Sequence, residues 1–195
     1  MRSAPRFSGA PHHAAPVVFS GERPTEEERR WAIDALRAMA EAAEAVDITL
    51  AVEHLDHFEH YLSNTAAQTA ALCREVGHPR CRMLYDTFHA HMEEKDVRAA
   101  IESASDMIAY VHLSENDRST PGSGQVAWQA TFETLHAIGY DGWMTVEAFG
   151  GNPDIARAMK IWRQAYESES QLARDAARFA RAAWAEASAA AVRRR

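Results

Sequence analysis

The sequence predicts an α/β fold with a parallel sheet, and more specifically part of a (β/α)8 barrel. Short apolar runs alternate with amphipathic helical segments, a pattern typical of parallel sheets. Four of the runs end in a side chain that can bind a metal: Glu53, Asp86, His112 and Glu147. Successive members lie 33, 26 and 35 residues apart, near the ~30 residues of one βα unit in a barrel. Four clear strands are too few for closure, so we expect a partial barrel or an open sheet.

The first part of the chain leads into a capped helix. Residues 1–23 are predicted to be irregular, with prolines throughout, and Val17-Val18-Phe19 is either the remnant of a further strand or a loop leading from one. Thr25 and Glu28 have the spacing of a capping box, which predicts a helix start. Apolar residues at helical spacing predict the face that covers the sheet: Trp31, Ala35, Leu36, Met39 and Ala43.

The middle of the chain carries two of the predicted strands. The strand ending at Glu53 is followed by a polar and aromatic loop over 54–63. A helix starts at Asn64 or Thr65 and stops at Gly77. Its predicted inner face comprises Ala67, Ala70, Ala71, Leu72 and Val76. The next strand ends at Asp86 and leads through a loop that includes His89 to a helix over about 95–104.

Two further strands and three helices complete the prediction. The strand ending near His112 leads to a polar loop with three turn residues, Pro121, Gly122 and Gly124. A helix over about 128–138 then stops at Gly139, before the strand that ends at Glu147. Helices are predicted over 155–166 and within a C-terminal segment, 168–195, that ends in a frayed basic tail. We expect residues 1–195 to form one partial domain.

Composition narrows the class of protein. The chain has 195 residues, 47% of them hydrophobic, and a formal net charge of −7, which disfavours a nucleic-acid binder. No apolar stretch is long enough to span a membrane, and the N-terminus lacks the apolar core of a secretory signal. Cys73 and Cys81 are expected to be reduced, partly buried thiols. We therefore predict a cytoplasmic protein without nucleic-acid or membrane partners.

The four strand-end residues predict a metal site. One charged residue after a strand often marks only the exit to solvent, but four in succession indicate a shared site, because barrel active sites lie at the carboxyl ends of the strands. Three carboxylates and one imidazole suit Mn²⁺, Mg²⁺ or Co²⁺ better than a structural zinc. Three loop residues, Glu59, His89 and Arg118, could bind a polyol there; alternatively they are exposed loop residues. The histidines at 54, 57, 60 and 91 are interpreted as loop residues, not ligands.

Several segments resemble those of the D-tagatose 3-epimerase family, also called D-psicose or allulose 3-epimerases, within the xylose isomerase-like barrel superfamily. The resemblance runs from about residue 20 to 185. Its most specific part combines Asp86-Thr87-Phe88-His89 with the run His112-x-x-Glu115-x-x-Arg118-x-x-Pro121-Gly122-x-Gly124. The other matching segments are Leu50-Ala51-Val52-Glu53, Phe58-Glu59, Asn64-Thr65-Ala66-Ala67, Met92-Glu93-Glu94, Trp128 and Val146-Glu147.

The resemblance implies a metal-dependent isomerase that epimerises a free ketose at C3. One divalent ion, Mn²⁺ before Mg²⁺ or Co²⁺, would hold O2 and O3 of the ketose through Glu53, Asp86, His112 and Glu147. Glu53 and Glu147 would also form the acid/base pair: one removes the C3 proton to give a cis-enediolate, and the other returns a proton from the opposite face. His89 and Arg118 would hold O1 and O2, and Glu59 would help to position the substrate.

The resemblance also implies that part of the barrel is missing. Members of this family are longer at the N-terminus and have eight strands, so this chain corresponds to about strands 4–8 of a xylose isomerase-like barrel. A half barrel exposes a sheet edge and an apolar face, so we expect a homo-oligomer, a dimer or tetramer, unless upstream sequence or another chain completes the barrel. Met1 would then be an internal or mis-assigned start, or the gene would be truncated.

Other functions stay open. Phe149-Gly150-Gly151-Asn152 follows the last strand and could bind a phosphate through backbone amides, which would suit a sugar-phosphate epimerase, although the resemblance favours a free ketose. Hydroxypyruvate isomerase and inosose dehydratase are alternatives in the same superfamily. An inactive truncated remnant is a further alternative. An endonuclease IV-like hydrolase fits less well, because it would require more histidine ligands and a basic groove.

Overall fold

A computed structural model describes residues 6–150 and 153–193 and divides the chain into two compact units. The first comprises Met1–Tyr85 and Ser103–Val111, and the second comprises Asp86–Glu102 and His112–Arg195. Within the described residues, the elements in chain order are β1 (Phe7–Ala10), α1 (Glu26–Glu44), β2 (Thr49–Glu53), α2 (Ala66–Val76), β3 (Cys81–Asp86), α3 (Thr87–Glu93), α4 (Val97–Ser103), β4 (Ile108–Leu113), α5 (Trp128–Ala137), β5 (Trp143–Val146), α6 (Pro153–Ala158) and α7 (Glu169–Arg193).

The sheet of the first unit follows chain order, β1-β2-β3-β4. β1 runs parallel to β2, with Phe7 opposite Thr49, and β2 runs parallel to β3, with Leu50 opposite Cys81. The amide of Met83 donates to the carbonyl of Met107 at 2.9 Å, which joins β3 to the start of β4. The parallel sheet predicted from strand–helix alternation is therefore confirmed. β2 and β3 are buried over most of their length, as parallel strands covered by helices are, whereas β4 is buried at half of its positions and β1 at none.

β1 lies where we predicted irregular chain. Phe7-Ser8-Gly9-Ala10 has a weak strand signal, because glycine and small residues disfavour strands. Tertiary packing explains its presence: the ring of Phe7 stacks on Tyr110 of β4 with centroids 5.1 Å apart. A Cβ on Gly9 would come within 2.8 Å of Leu84, so the close approach requires glycine. Of the two alternatives for residues 17–19, the strand was wrong, since these residues are exposed and lie in the connection between β1 and α1.

The two helices of the first unit start where the sequence predicts. Thr25 caps α1 and Thr65 caps α2, each in a complete capping box, and α2 ends at Gly77 with a left-handed φ of 69°. The predicted inner faces were partly wrong. Trp31 of α1 is 62% exposed, and the residues that α1 buries are Ala32, Ile33, Leu36, Ala40 and Ala43. Those that α2 buries are Ala66, Thr69, Ala70, Leu72, Cys73 and Val76.

The inner faces rotate because tertiary contact, rather than residue size, selects the buried stripe. Ile33 of α1 and Leu72 of α2 are buried along with several alanines, while Trp31 on the predicted stripe stays at the surface. Both cysteines are buried and unpaired by any disulfide, as predicted.

The second unit holds the carboxyl end of β4 together with β5. The amide of Glu147, one residue after β5, donates to the carbonyl of Leu113 in β4 at 3.0 Å. α5 packs against α7 through an aromatic cluster in which Phe179 contacts Trp128 edge to face, with centroids 5.2 Å apart. This cluster, which also includes Phe132 and Trp184, anchors the C-terminal helix α7, which lies within the segment where a helix was predicted.

A single predicted helix over 155–166 was wrong, since α6 ends at Ala158. Lys160 has a left-handed φ of 57°. The amide of Ile161 reaches back to the carbonyl of Ala156 at 2.8 Å. These are the bonds of a Schellman motif, here with lysine at the position where glycine is usual, and the sequence therefore carries no glycine that would signal the end.

Some predictions fall on residues that the structure does not describe. The candidate phosphate-binding segment, 149–152, includes Gly151 and Asn152, and the basic tail includes Arg194 and Arg195. These four residues lie outside the described part of the chain, so neither prediction is tested. The division into two units does not test the prediction of one partial domain, which stays a prediction. Among the described helices, none is long and apolar enough to cross a membrane.

Candidate active site

Asp86 ends β3 and starts α3. Its Oδ1 accepts hydrogen bonds from the amides of Phe88 at 2.6 Å and His89 at 3.3 Å. The segment after Asp86 is therefore a helix with an aspartate cap, and the predicted loop through His89 was wrong. Oδ2 of Asp86 is buried and accepts no hydrogen bond from the described residues. The cap thus uses one carboxylate oxygen and leaves the other for the site.

Three of the four predicted metal ligands lie together in the second unit. Nδ1 of His112 is 3.6 Å from Oδ2 of Asp86 and 3.3 Å from Oε1 of Glu147. Asp86, His112 and Glu147 each offer a ligand atom within 4.8 Å of the others. They meet because each sits at or beside the carboxyl end of its strand, β3, β4 or β5, as the strand-end pattern predicts.

The charge of Asp86 is stabilised despite its burial. Burial alone raises the pKa of a carboxyl group, but the neighbouring His112, Arg118 and His89 outweigh it and hold the pKa of Asp86 well below its ordinary value. Nη1 of Arg118 lies 3.7 Å from Oδ2 of Asp86. The site therefore presents an ionised carboxylate at neutral pH.

Arg118 has a left-handed backbone, with φ of 60°. Its guanidinium donates to Oγ of Ser114 at 2.9 Å and forms a short ion pair with Glu147. The same group lies 3.6 Å above the ring of Phe88, a cation–π geometry. A non-glycine residue in this backbone region is uncommon, so the surrounding contacts determine the conformation of Arg118.

His89, in the first turn of α3, is the fifth predicted site residue in this unit, after Asp86, His112, Glu147 and Arg118. Its Nε2 is 3.1 Å from Nη2 of Arg118, and the residue is 1% exposed. The predicted substrate-binding pair, His89 and Arg118, is therefore in contact. The alternative that these were exposed loop residues was wrong for both, since Arg118 is 3% exposed.

Glu53 and Glu59 belong to the first unit. Glu53 ends β2 and is 7% exposed. Glu59 lies in the loop after β2, where its carbonyl accepts a hydrogen bond from the amide of Val17 at 2.8 Å. Their roles as metal ligand and substrate contact stay predictions.

Two groups of buried polar residues were not predicted from the sequence: one glutamate and one pair of histidines. The first is Glu115, which is fully buried yet was recognised only as part of a motif. The second is the histidine pair His13 and His60, with ring centroids 4.5 Å apart. We had interpreted His60 as a loop residue and predicted no role for His13. Two glycines in the loop after Glu115 were the available signal for the first set, and local sequence held no signal for the second.

The donor set of the second unit fits a divalent cation. Asp86 supplies a buried carboxylate oxygen without a hydrogen bond from the described residues. Two carboxylates and one imidazole form an oxygen-rich set suited to Mn²⁺, Mg²⁺ or a similar ion. These residues could hold a metal ion.

Comparison with known proteins places the chain in a family. Residues 7–182 match the family model described as xylose isomerase-like TIM barrel. The chain belongs to this family. The predicted fold class is thereby confirmed, and the described strands, five in number, fit part of such a barrel.

The relatives of this family member include ketose epimerases. The chain is 36% identical over 168 residues to a probable ketose 3-epimerase of Synechocystis sp., which covers 85% of this chain and 58% of that protein. It is 35% identical to an L-ribulose 3-epimerase of Mesorhizobium japonicum, over 81% of this chain and 54% of the relative. The chain thus spans a little over half the length of these relatives.

Two solved structures of 3-epimerases also match the chain. A structure of L-ribulose 3-epimerase matches with a TM-score of 0.89 and 32% identity, over 95% of this chain and 63% of the other. A D-psicose 3-epimerase structure with D-tagatose, from Clostridium cellulolyticum H10, matches with a TM-score of 0.83 and 27% identity, over 92% and 64%.

Proposed function

We propose that this protein acts in the metal-dependent epimerisation of a free ketose at C3. The observation that carries the proposal is the cluster of Asp86, His112 and Glu147 beside Arg118 and His89. The relatives named as ketose 3-epimerases give the reaction class. Because the chain spans little more than half of each relative, the activity is proposed for the chain rather than transferred to it.

The proposed metal ligands are Glu53, Asp86, His112 and Glu147, with Mn²⁺ as the preferred ion and Mg²⁺ or Co²⁺ as alternatives. A bound divalent ion supplies Lewis-acid polarisation of the carbonyl group next to the reacting carbon. Glu53 is proposed as a ligand because it stands at the carboxyl end of β2, as Asp86 does in β3.

Glu147 and Glu53 are the proposed acid/base pair. One group, as a carboxylate, removes the proton on C3 next to the C2 carbonyl and leaves an enediolate, and the other group, as a carboxylic acid, delivers a proton to the opposite face of C3. Charge and proton balance, because one group gains the proton that the other loses. Glu147 is one-fifth exposed at its side chain and is ion-paired with Arg118, so it combines access to substrate with a fixed orientation.

His89 and Arg118 are proposed to bind hydroxyl and carbonyl oxygens of the ketose, with Glu59 as a further contact. The guanidinium of Arg118 carries several donors in a planar fork, and its contacts with Ser114 and His89 preset its direction. Such preset donors hold an extended polyol in one register, which the epimerisation needs if C3 is to meet the bases.

The substrate is proposed to be free rather than phosphorylated.

One relative is named a 3-dehydro-D-guloside 4-epimerase, of Escherichia coli, at 27% identity over 73% of this chain. Its named reaction also inverts a carbon next to a ketone, and epimerisation at C4 of a 3-keto sugar is therefore the second candidate. The site has the groups for either reaction.

The test is epimerisation by the purified chain with Mn²⁺ in D₂O. D-fructose, D-tagatose and L-ribulose are offered separately, and the C3 epimer with deuterium at C3 is the expected product. Added chelator should abolish turnover. Glu147→Gln should lose both turnover and deuterium exchange, whereas Glu186→Gln, an exposed glutamate of α7, should retain them. A 3-keto glycoside is offered in a parallel reaction: epimerisation of that sugar alone, at C4, would favour the second candidate, and no exchange with any sugar would refute the proposal.

A homo-oligomer, a dimer or tetramer, is also proposed. Large apolar side chains are exposed in both units, including Trp31 at 62% and Trp162 at 76%, and such surface is typical of association. Light scattering after size-exclusion chromatography tests this, and a monomer at micromolar concentration would contradict it.

A further inference from the structure

We propose that Glu115 is a positioning residue for Arg118: it organises the loop over 114–126 around its carboxylate and so holds the guanidinium at the ketose site. This inference rests on the proposed function for the role of Arg118. It concerns a glutamate that neither binds the proposed metal nor belongs to the acid/base pair.

Glu115 is fully buried and accepts four hydrogen bonds. Oε1 accepts from the amides of Asn116 and Val126, both at 3.1 Å. Oε2 accepts from the amide of Gly122 at 2.8 Å and from the indole Nε1 of Trp128 at 2.9 Å. Burial raises the pKa of Glu115, but the donors from Trp128, Asn116, Val126 and Gly122 outweigh it and bring that pKa below its ordinary value. The group is therefore an anion at neutral pH.

These bonds span the whole loop. Asn116 is adjacent to Glu115, Gly122 lies at the turn, and Val126 and Trp128 lie where α5 begins. One carboxylate thus fixes the start, the middle and the end of a connection that has no strand or helix of its own. A loop of this length would otherwise have many conformations available to it.

The glycines of the loop fit this arrangement. A Cβ on Gly124 would come within 2.7 Å of Oε1 of Glu115 and would also meet the side chain of Asn116. Gly122 has φ of 90°, and a Cβ there would come within 2.6 Å of the ring of Phe179. The loop can close around the carboxylate only where these two side chains are absent.

Arg118 lies inside the loop and depends on it. Its amide donates to the carbonyl of Glu115 at 2.9 Å, and its own carbonyl accepts from the amide of Phe149 at 3.3 Å. The left-handed φ of Arg118 is an uncommon backbone state, which persists where the surroundings over-determine it. The carboxylate of Glu115 supplies that constraint from one side, and the contacts of the guanidinium supply it from the other.

A carboxylate is needed because each oxygen accepts two hydrogen bonds. Glutamine has the same shape, but its amide group would present two N–H donors to a pair of existing donors. Glu115→Gln therefore leaves buried donors facing each other, whichever way the amide is turned. Trp128→Phe is milder, since it removes one donor and keeps an aromatic ring against Phe132 and Phe179.

The test combines nuclear magnetic resonance with steady-state kinetics on the full chain. Variants Glu115→Gln, Trp128→Phe and Arg118→Ala are compared with Asp117→Asn, a matched loss of charge in the same loop. Asp117 pairs with the exposed Arg163. The Nε–Hε resonance of Arg118 reports its environment without any substrate, and KM for the ketose reports its use.

We expect Glu115→Gln to broaden or shift the Arg118 resonance and to lower kcat/KM by about 100-fold, as a displacement of ~1 Å in a positioning group can do. The loss should appear mainly in KM. Adding Glu115→Gln to Arg118→Ala should produce no further loss, because Glu115 affects the substrate only through Arg118. Trp128→Phe should change both readouts in the same direction but less, and Asp117→Asn should change neither.

An unchanged Arg118 resonance in folded Glu115→Gln, or fully additive losses in the double variant, would overturn the inference. If Glu115→Gln does not fold, an unchanged resonance and KM in Trp128→Phe would overturn it. Failure of the proposed function is seen separately, because a wild-type chain that turns over no ketose still gives the Arg118 resonance and its response to the variants.

Discussion

Arg118 and His89 lie side by side, with 3.1 Å between Nη2 of the arginine and Nε2 of the histidine, although 29 positions separate them in the chain. The same guanidinium contacts Ser114 and Glu147. One side chain thus joins the helix after β3, the loop after β4 and the residue after β5. The planar fork of arginine allows these contacts at once.

Arg118→Lys should therefore impair the proposed epimerisation although it keeps the charge. A lysine ammonium is a single point of contact and cannot face Ser114, His89 and Glu147 together. We expect kcat/KM to fall by about 100-fold, measured with the best ketose identified in the turnover assay. Arg163→Lys, at an exposed ion pair, is the control. A variant with more than half of wild-type activity would contradict the positioning of substrate by the fork.

Metal addition should stabilise the chain. A ligand present at 100 times its dissociation constant stabilises the folded state by about 2.7 kcal/mol, so Mn²⁺ should raise Tm and a chelator should reverse the rise. His112→Ala should remove most of the effect, because it deletes a proposed ligand. His91→Ala, which changes a histidine outside the cluster, should leave it in place. Equal responses in the two variants would show that the ion binds elsewhere.

Acid should destabilise the first unit through two buried histidines. Burial, with His60, His12 and His54 nearby, lowers the pKa of His13 from 6.5 to about 3, and burial lowers that of His60 to about 4. Between pH 6.5 and about 4 the unfolded chain binds more protons at these positions than the folded chain, so stability falls as pH falls. At pH 5, about 1.5 units below the ordinary value, each histidine costs about 2 kcal/mol.

Urea unfolding at pH 7.5 and pH 5 checks this. His60→Gln should reduce the difference in unfolding free energy between the two pH values, whereas His57→Gln, at an exposed position of the same loop, controls for the loss of a histidine. A pH dependence that is the same in wild type and His60→Gln would contradict the assignment to His60.

Gly9→Ala should destabilise β1. The added Cβ would lie 2.8 Å from Cδ1 of Leu84 and 3.3 Å from the ring of Tyr110, and overpacking of this kind costs about 1–3 kcal/mol. Urea unfolding measures the loss. Leu84→Val in the Gly9→Ala background should recover part of it by making room, and no recovery would mean that the strain lies in the backbone instead.

Local signals predicted much of the fold. The capping boxes at Thr25 and Thr65, the helix stop at Gly77 and the strand ends at Asp86 and Glu147 could all be located from neighbouring residues. Caps and stops involve hydrogen bonds between residues only a few positions apart. The ends of apolar runs likewise mark where a strand leaves the core.

The parts that were wrong depend on distant residues. β1 forms because Phe7 and Gly9 pack on β3 and β4, about 100 residues away along the chain for Tyr110. The buried faces of α1 and α2 depend on which side of each helix the rest of the first unit covers. α6 ends at Ala158, two residues before a left-handed lysine, Lys160, that only the surrounding contacts can stabilise.

The candidate site likewise has some features that local sequence predicts and others that depend on residues distant in the chain. The sequence by itself determined which residues stand at the strand ends, since alternation and spacing bring carboxyl ends to one edge of a parallel sheet. Only the tertiary structure decided that Arg118 faces His89, Ser114 and Glu147, and that Glu115 is buried at the centre of its loop. Burial and contact between distant residues are properties of the packed chain, and a carboxylate such as Glu115 has the same local sequence signal whether it is solvated or holds four buried donors.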